Sequence, residues 1–262
     1  MMESDIETAS NLVRSRIRIE ILERLRADDA TRYDLRDGLD CARTTVDRNL
    51  DRLEEDGWIR ESSGEYSITT AGEIVLESAN DCLETVAAAE RLQPILRWVP
   101  GEEFDVDIRH LADAELTVAS EAKPLAMVDR HAQAIKEAPN ARMVLPIVSP
   151  QPLHAQSRNN SNEDLSIEVV VSPPIAETFT TDPQFRDRIA ELRGTDAMDI
   201  FVTDESIPYY LGLIDGTVQI GVDEDGEPRG LLESEDDAVW EWAERKFASF
   251  QESAEPLEAW EG

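Results

Sequence analysis

The chain has 262 residues, enough for two domains with a core each, and 57 acidic against 25 basic side chains give a formal net charge of -32. No stretch approaches the roughly 20 apolar residues of a membrane span. The N-terminus lacks the basic-then-apolar layout of a secretory signal. Two cysteines and three histidines, scattered singly, form no metal-ligand cluster. A soluble cytoplasmic protein is expected, with no metal, no cofactor and no membrane contact.

The charge is uneven along the chain. Residues 1–60 hold 11 arginines and 15 acids, whereas the remainder holds 14 basic and 42 acidic residues. Lysine is confined to Lys123, Lys136 and Lys246. An acid-rich, lysine-poor surface fits a cytoplasm at molar salt, as in halophilic archaea, where charge is screened within about 3 Å. Under that screening a surplus of negative charge does not bar the first 60 residues from a polyanion.

Near-helical spacing of Ile6, Ala9, Leu12 and Val13 predicts a short lead-in helix. A stronger one runs from Arg16 to Ala27 behind Ser15 as its cap, with Ile17, Ile21, Leu22 and Leu25 as the buried stripe. Thr31 caps the next helix with Asp34 at the third position, as in a capping box, and Leu35 and Leu39 supply its contacts. After a tight turn at Gly38 to Asp40, residues Ala42 to Asp56 form an amphipathic helix. Ala42, Val46, Asn49, Leu50 and Leu53 share one face; Thr44, Arg48 and Asp51 lie opposite, flanked by Asp47 and Arg52. Gly57 stops it. This is a helix-turn-helix whose second helix fits a DNA major groove. Thr44 and Arg48 are expected at base edges, Arg43, Thr45 and Arg52 at edges or phosphates. Arg14, Arg16, Arg18, Arg32 and Arg36 are phosphate candidates. Trp58 to Gly72 reads as a hairpin around a polar turn, with Arg60 and Ser63 placed to touch the DNA backbone.

Helix, turn, helix, hairpin is the order of a winged helix, and at this point the chain resembles archaeal and bacterial winged-helix transcription regulators. Leu39 to Leu53 is similar to their recognition helices, and Ile68-Thr69-Thr70-Ala71-Gly72 resembles the Leu-Thr-x-x-Gly signature that closes their wing. Two departures stand out: Ala42 where a capping Ser is usual, which weakens the helix start by about 1 kcal/mol, and Asp40 in place of the turn glycine.

Thr70 to Gln93 contains no helix breaker, and Pro94 marks its expected end. Val75, Ala79, Cys82, Val86 and Ala89 make an apolar seam suited to a partner helix. From there on, apolar runs at Glu115–Ala119, Met143–Val148, Ile167–Val171, Asp199–Thr203, Tyr209–Ile214 and Thr217–Val222 alternate with helical runs at Pro124–Glu137, Asp182–Arg193 and Glu235–Gln251. That alternation predicts a mainly parallel sheet, apart from a hairpin at Asp215-Gly216. The last helix is expected to start in a capping box of Ser234 and Asp237, and His154 to Asp164 reads as a loop.

Met143–Val148, Ile167–Val171, Phe201–Asp204 and Leu211–Gly216 resemble strands of the larger domain in the archaeal methanogenesis-regulator (FilR-type) family. More loosely they resemble the phospholipase-like sensor domains of archaeal sugar-responsive regulators. The resemblance implies an effector-sensing, dimerising module and names no ligand. Three parts are therefore expected: a winged helix-turn-helix at 1–72, a connecting or dimerisation helix at 73–93, and an α/β effector-sensing domain at 94–262, an α+β or α/β chain overall.

Enzyme signatures are missing from the sequence. Gly-x-Ser-x-Gly, Gly-x-x-x-x-Gly-Lys and Gly-x-Gly-x-x-Gly do not occur, and Lys136 stands five residues after His131 instead of two as in a phospholipase signature. No catalytic residue is assigned. Ligands of sheet domains sit beyond strand ends, which nominates His154, Arg158, Asp204, Tyr209 and Tyr210 as effector contacts. The partners expected are double-stranded DNA, a second copy of the chain, and a small-molecule or protein effector. The alternative is an adaptor whose winged helix docks proteins instead of DNA.

Overall fold

A computed structural model describes residues 2–101, 104–138, 140–156, 166–194 and 197–260. The chain divides into two compact units, Met1–Ala87 and Ala88–Gly262.

The first unit contains α1 (Met2–Val13), α2 (Arg16–Ala27), β1 (Ala30–Thr31), α3 (Arg32–Gly38), α4 (Arg43–Glu55), β2 (Ile59–Ser62), β3 (Glu65–Ile68) and the start of α5 (Thr70–Leu96). The capping box on α3 is present: the Thr31 side chain accepts from the Asp34 amide and the Asp34 carboxylate accepts from the Thr31 amide. Ser15 does sit at the N-cap of α2, but its side chain makes no cap hydrogen bond. Strands β2 and β3 pair around Ser63 and Gly64, both at positive φ, the backbone a two-residue hairpin turn requires. A short strand that the sequence does not announce, β1, adds to the outer side of β3, giving a sheet ordered β1-β3-β2. Ile21, Leu22, Leu35, Val46, Leu50, Leu53 and Leu76 are all buried in one core.

The wing closes onto α5 through Thr69 and Gly72. The Thr69 hydroxyl donates to the Gly57 carbonyl at 2.8 Å and accepts from the Gly72 amide at 3.1 Å, so one side chain both fastens the end of β3 and caps the helix. A Cβ on Gly72 would stand 2.1 Å from the Trp58 carbonyl oxygen. The motif Ile68 to Gly72 thus has a steric reason for its final residue.

The helix α5 runs to Leu96, past Pro94, and the division between the units falls inside it. Proline removes a donor and crowds the carbonyl four residues back, and both penalties are tolerable in a last turn where Leu92 and Ile95 are fully buried. The part of α5 beyond Ala87 belongs to the second unit.

That unit adds a 3-10 helix (Ile108–Leu111), β4 (Glu115–Val118), α6 (Ala126–Glu137), β5 (Asn140–Leu145), α7 (Pro150–Gln156), β6 (Ser166–Val171), α8 (Pro173–Thr181), α9 (Pro183–Gly194), β7 (Met198–Val202), β8 (Tyr210–Ile214), β9 (Thr217–Glu224), β10 (Glu227–Ser234), α10 (Asp237–Glu252) and β11 (Glu255–Pro256). The sheet has eight strands in the order β11-β7-β6-β5-β8-β9-β10-β4. Its character differs from the expected mainly parallel one: β5, β6 and β7 run parallel to their neighbours in that trio, and every other pairing is antiparallel. The cause is local. Asp215-Gly216 and Asp225-Gly226 both take positive φ, so β8, β9 and β10 fold as consecutive hairpins. Strand β10, absent from the expected set, carries Pro228 and Gly230 and a register shift between them. Residues 154–156 continue α7 instead of opening a loop; the rest of the expected loop lies outside the described residues. The N-cap of α10 is Asp236, which accepts from the Ala238 and Val239 amides, and not Ser234.

Side chains of α6 to α9 make one core on one face of the sheet, and α10, the 3-10 helix and the end of α5 make another on the opposite face. Among the described residues no helix is long and apolar enough to cross a membrane.

Candidate nucleic-acid interface

Helix α4 is held by its apolar face: Val46, Leu50 and Leu53 are buried, while Ala42, expected there, is exposed. Ala42 occupies the N-cap and, having no side-chain oxygen, makes no cap hydrogen bond. Asn49 is the polar member of the buried face. Its amide oxygen accepts from Arg18 Nε at 2.9 Å and its amide nitrogen donates to the Thr45 carbonyl at 2.8 Å. Arg18 also donates to the Asn11 carbonyl, tying α1, α2 and α4 together. Its work is internal, which corrects its expected place among the phosphate contacts.

The opposite face of α4 is open. Arg43, Thr44 and Arg48 are exposed, Thr45 is half-buried, and among the described residues neither Arg43 nor Arg48 has an ion pair. The acids beside them are engaged. Arg36 binds Asp47 through two hydrogen bonds, at 2.8 and 2.5 Å, a bidentate fork. Arg32 reaches Asp51 at 3.1 Å, Asp47 at 3.4 Å and the Tyr66 hydroxyl. Two arginines one turn apart on α3 thereby clamp two aspartates one turn apart on α4. This leaves the outward cations of α4 less opposed by its own carboxylates. Arg32 and Arg36 are thus committed within the domain; Arg16 pairs with Glu20 at 2.6 Å but its side chain stays exposed, and Arg14 is exposed. Arg52 pairs with Glu55 and Asp56, both at 3.3 Å. On the wing, Arg60 donates to the Ser67 hydroxyl at 3.0 Å, and Ser63 stands exposed at the tip. Tyr33, at 69% exposure next to Arg32, is an outward aromatic that the periodicity of the sequence does not single out.

The Arg36 fork holds the Asp47 carboxyl below the ordinary carboxylate range. A depressed folded-state pKa contributes stability that is present above the unfolded value, about 4, and is lost as the pH falls through the lower folded value. Asp47→Asn is therefore expected to flatten the acid limb of the stability curve below about pH 4, read by denaturant melts at successive pH values. An acid limb identical to that of the parent protein would remove the clamp from the account.

The residues nominated for an effector part company. Tyr209 and Tyr210 alternate across the sheet. Tyr209 packs against Phe104 and Trp242 in the α10-side core, whereas Tyr210 is buried on the other face beside His131. Asp204 is exposed beyond β7. His154 lies in α7, its side chain outside the described set, and Arg158 lies outside the described residues. Among the described residues no three His, Cys, Asp or Glu side chains are grouped to hold a metal ion.

A family model described as the HVO_A0261 N-terminal domain matches residues 6–91, and one described as the middle domain of the methanogenesis regulatory protein FilR1 matches residues 124–253. No curated protein matches the chain. Among solved structures, the archaeal chromatin protein TrmBL2 is 14% identical, with 96% of this chain and 100% of that one covered at a TM-score of 0.39. NucT from Helicobacter pylori is 11% identical over 55% of this chain and 98% of its own, at a TM-score of 0.42. Nuc from Salmonella typhimurium, a phospholipase D family member, is 13% identical over 55% and 97%, at 0.40. At these scores the likenesses carry neither activity nor partners over to this chain. The two matched models, in this order on one chain, are what the winged-helix unit and the sheet unit correspond to: the protein belongs to the archaeal FilR-type methanogenesis-regulator family.

Proposed function

We propose that the protein is a non-enzymatic, sequence-specific DNA-binding transcription regulator, active as a homodimer and controlled by an effector bound in its second unit. The observation that carries the reading is the face of α4 on which Arg43, Thr44 and Arg48 stand exposed while Asp47 and Asp51 are held by α3. A short helix of this kind reads few base pairs, so two copies on a palindrome are expected. Support for pairing comes from α5, where Cys82, Leu83 and Val86 are exposed between the buried Ala79 and Ala88. Effector control is assigned to the second unit because α5 carries residues of both. The acid-rich, lysine-poor composition supports working conditions at molar salt, where the net charge would be screened.

Selection from a random duplex library by the full-length protein in molar KCl tests the proposal. Enrichment of one motif with two-fold symmetry, its half-sites about 10 base pairs or a multiple apart, is the expected outcome. Retention without any enriched motif, or no retention, would favour a protein-docking adaptor.

A further inference from the structure

The second unit holds a cavity of about 260 Å³ in its α6-to-α9 core. Apart from His131, Ser149 and Tyr210, the side chains lining it are apolar. The sequence has five methionines; Met1 and Met2 open the chain, and the other three, Met127, Met143 and Met198, all line this cavity. Unbranched thioethers adapt to the shape of an occupant. Its rim includes Leu125, 50% exposed, so this apolar concavity opens to solvent and an occupant can enter it.

The polar end of the cavity is fixed by a chain of hydrogen bonds that runs from exposed Arg130 and half-buried His131 to buried Glu233, Gln219 and Tyr210. Glu233, 5% exposed, accepts from Arg130 Nε at 2.5 Å and from Gln219 Nε2 at 2.9 Å. A carboxylate accepts only, which sets the Gln219 amide so that Oε1 faces the other way as an acceptor. That oxygen lies 2.8 Å from His131 Nδ1 and 3.2 Å from the Tyr210 hydroxyl, which therefore donate to it. With its proton on Nδ1, a neutral His131 ring has Nε2 as an open acceptor, and among the described residues no side chain hydrogen-bonds it. Burial pushes the imidazole pKa below its ordinary value, in keeping with the neutral form. Room for the Tyr210 ring comes from Gly212 and Gly221: a Cβ on the first would stand 2.1 Å from the Tyr210 hydroxyl, and on the second 2.9 Å from its ring.

We propose that this cavity is the effector site and takes an uncharged small molecule with an apolar body and one hydrogen-bond-donating group, an alcohol or phenol, held by His131. Since a cavity of about 150 Å³ accommodates benzene, the body has about ten non-hydrogen atoms. A carboxylate is disfavoured because among the described residues the wall offers it no cation: Arg130 is engaged by Glu233, and an unpaired buried charge is costly. The inference deepens the proposed function by naming the chemistry of its effector. Occupancy of the cavity does not depend on whether α4 binds DNA, so the two stand or fall separately.

Isothermal titration of the full-length protein in molar KCl, without DNA, with 4-propylphenol, 4-propyltoluene and 4-propylbenzoate tests it. The phenol is expected to bind one per chain, about tenfold more tightly than the toluene, the worth of one neutral hydrogen bond. The benzoate should bind weakest. His131→Phe keeps a ring and removes the acceptor, and should erase the advantage of the phenol over the toluene. Leu145→Trp fills the cavity from its half-buried wall and should abolish binding of all three, with circular dichroism melts reporting the fold. No saturable binding of the phenol, a preference for the benzoate, or equal binding of phenol and toluene overturns the proposal. So does a phenol preference that survives in folded His131→Phe. The ranking of the three probes on the parent protein decides even where a variant fails to fold.

Discussion

Replacing Arg48 by alanine is expected to weaken binding of the full-length protein to its selected operator by about 1 to 3 kcal/mol, roughly five- to 150-fold, without lowering its melting temperature. The two halves of that expectation have separate grounds. Arg48 is exposed and has no ion pair among the described residues, so its removal leaves no buried group unsatisfied, and surface changes of this kind stay within about 0.5 kcal/mol of neutral. Its position one turn from Thr44 on the outward face of α4 is where a guanidinium can meet the edge of a guanine with two parallel hydrogen bonds. Fluorescence anisotropy with the operator and a scrambled duplex, across KCl concentrations, separates base contact from phosphate contact. If Arg48 binds a base edge, the variant loses affinity for the operator alone. If it binds a phosphate, the variant binds both duplexes equally less well and its salt slope falls by about one.

The second large effect concerns the fold. Gly72→Ala is expected to destabilise the winged-helix unit by about 3 kcal/mol, the upper end for overpacking. The obstacle to the new methyl group is not a pliable side chain: the Trp58 carbonyl oxygen would lie 2.1 Å from it and the Ile68 side chain 2.9 Å. Relief requires the start of α5 to move off the wing, and that movement strips the Thr69 hydroxyl of its bonds to the Gly57 carbonyl and the Gly72 amide. Gly38→Ala is the control, since nothing lies within 4 Å of its Cβ position and its φ is not positive. Denaturant unfolding of both variants in molar KCl measures the contrast. Equal midpoints would show that the wing closure is looser than described.

Features fixed by near neighbours along the chain are legible in the sequence. The Thr31–Asp34 capping box, the hairpin around Ser63-Gly64 and the buried stripe of α4 depend on residues no more than nine apart, and periodicity and turn chemistry report on that range. What is not legible depends on partners far along the chain. Asn49 reads as an oddity on an apolar face until Arg18, 31 residues earlier, is seen to bind it. Arg32 and Arg36 read as phosphate contacts because a sequence does not say which aspartates they meet; their four-residue spacing, matched by Asp47 and Asp51, is the signal it offers. Alternation of apolar runs with helices points to a mainly parallel sheet, yet strand direction past Tyr210 follows from two Asp-Gly turns, of which the second, Asp225-Gly226, is easily passed over between charged neighbours. Helices α7 and α8 are missing from the expected set, although Ser149-Pro150 and Ser172-Pro173 offer a signal for their starts. His131 stands out in the sequence only for its spacing to Lys136, although its actual partner, Gln219, lies 88 residues away.

The claim that α4 reads DNA is tested most directly by genome-wide chromatin immunoprecipitation of the full-length protein beside an Arg43→Ala, Arg48→Ala double variant expressed to the same level. Discrete promoter peaks for the parent protein, sharing the motif selected in vitro and missing in the variant, are predicted. Peaks that persist unchanged in the variant, or none with the parent protein, would contradict it.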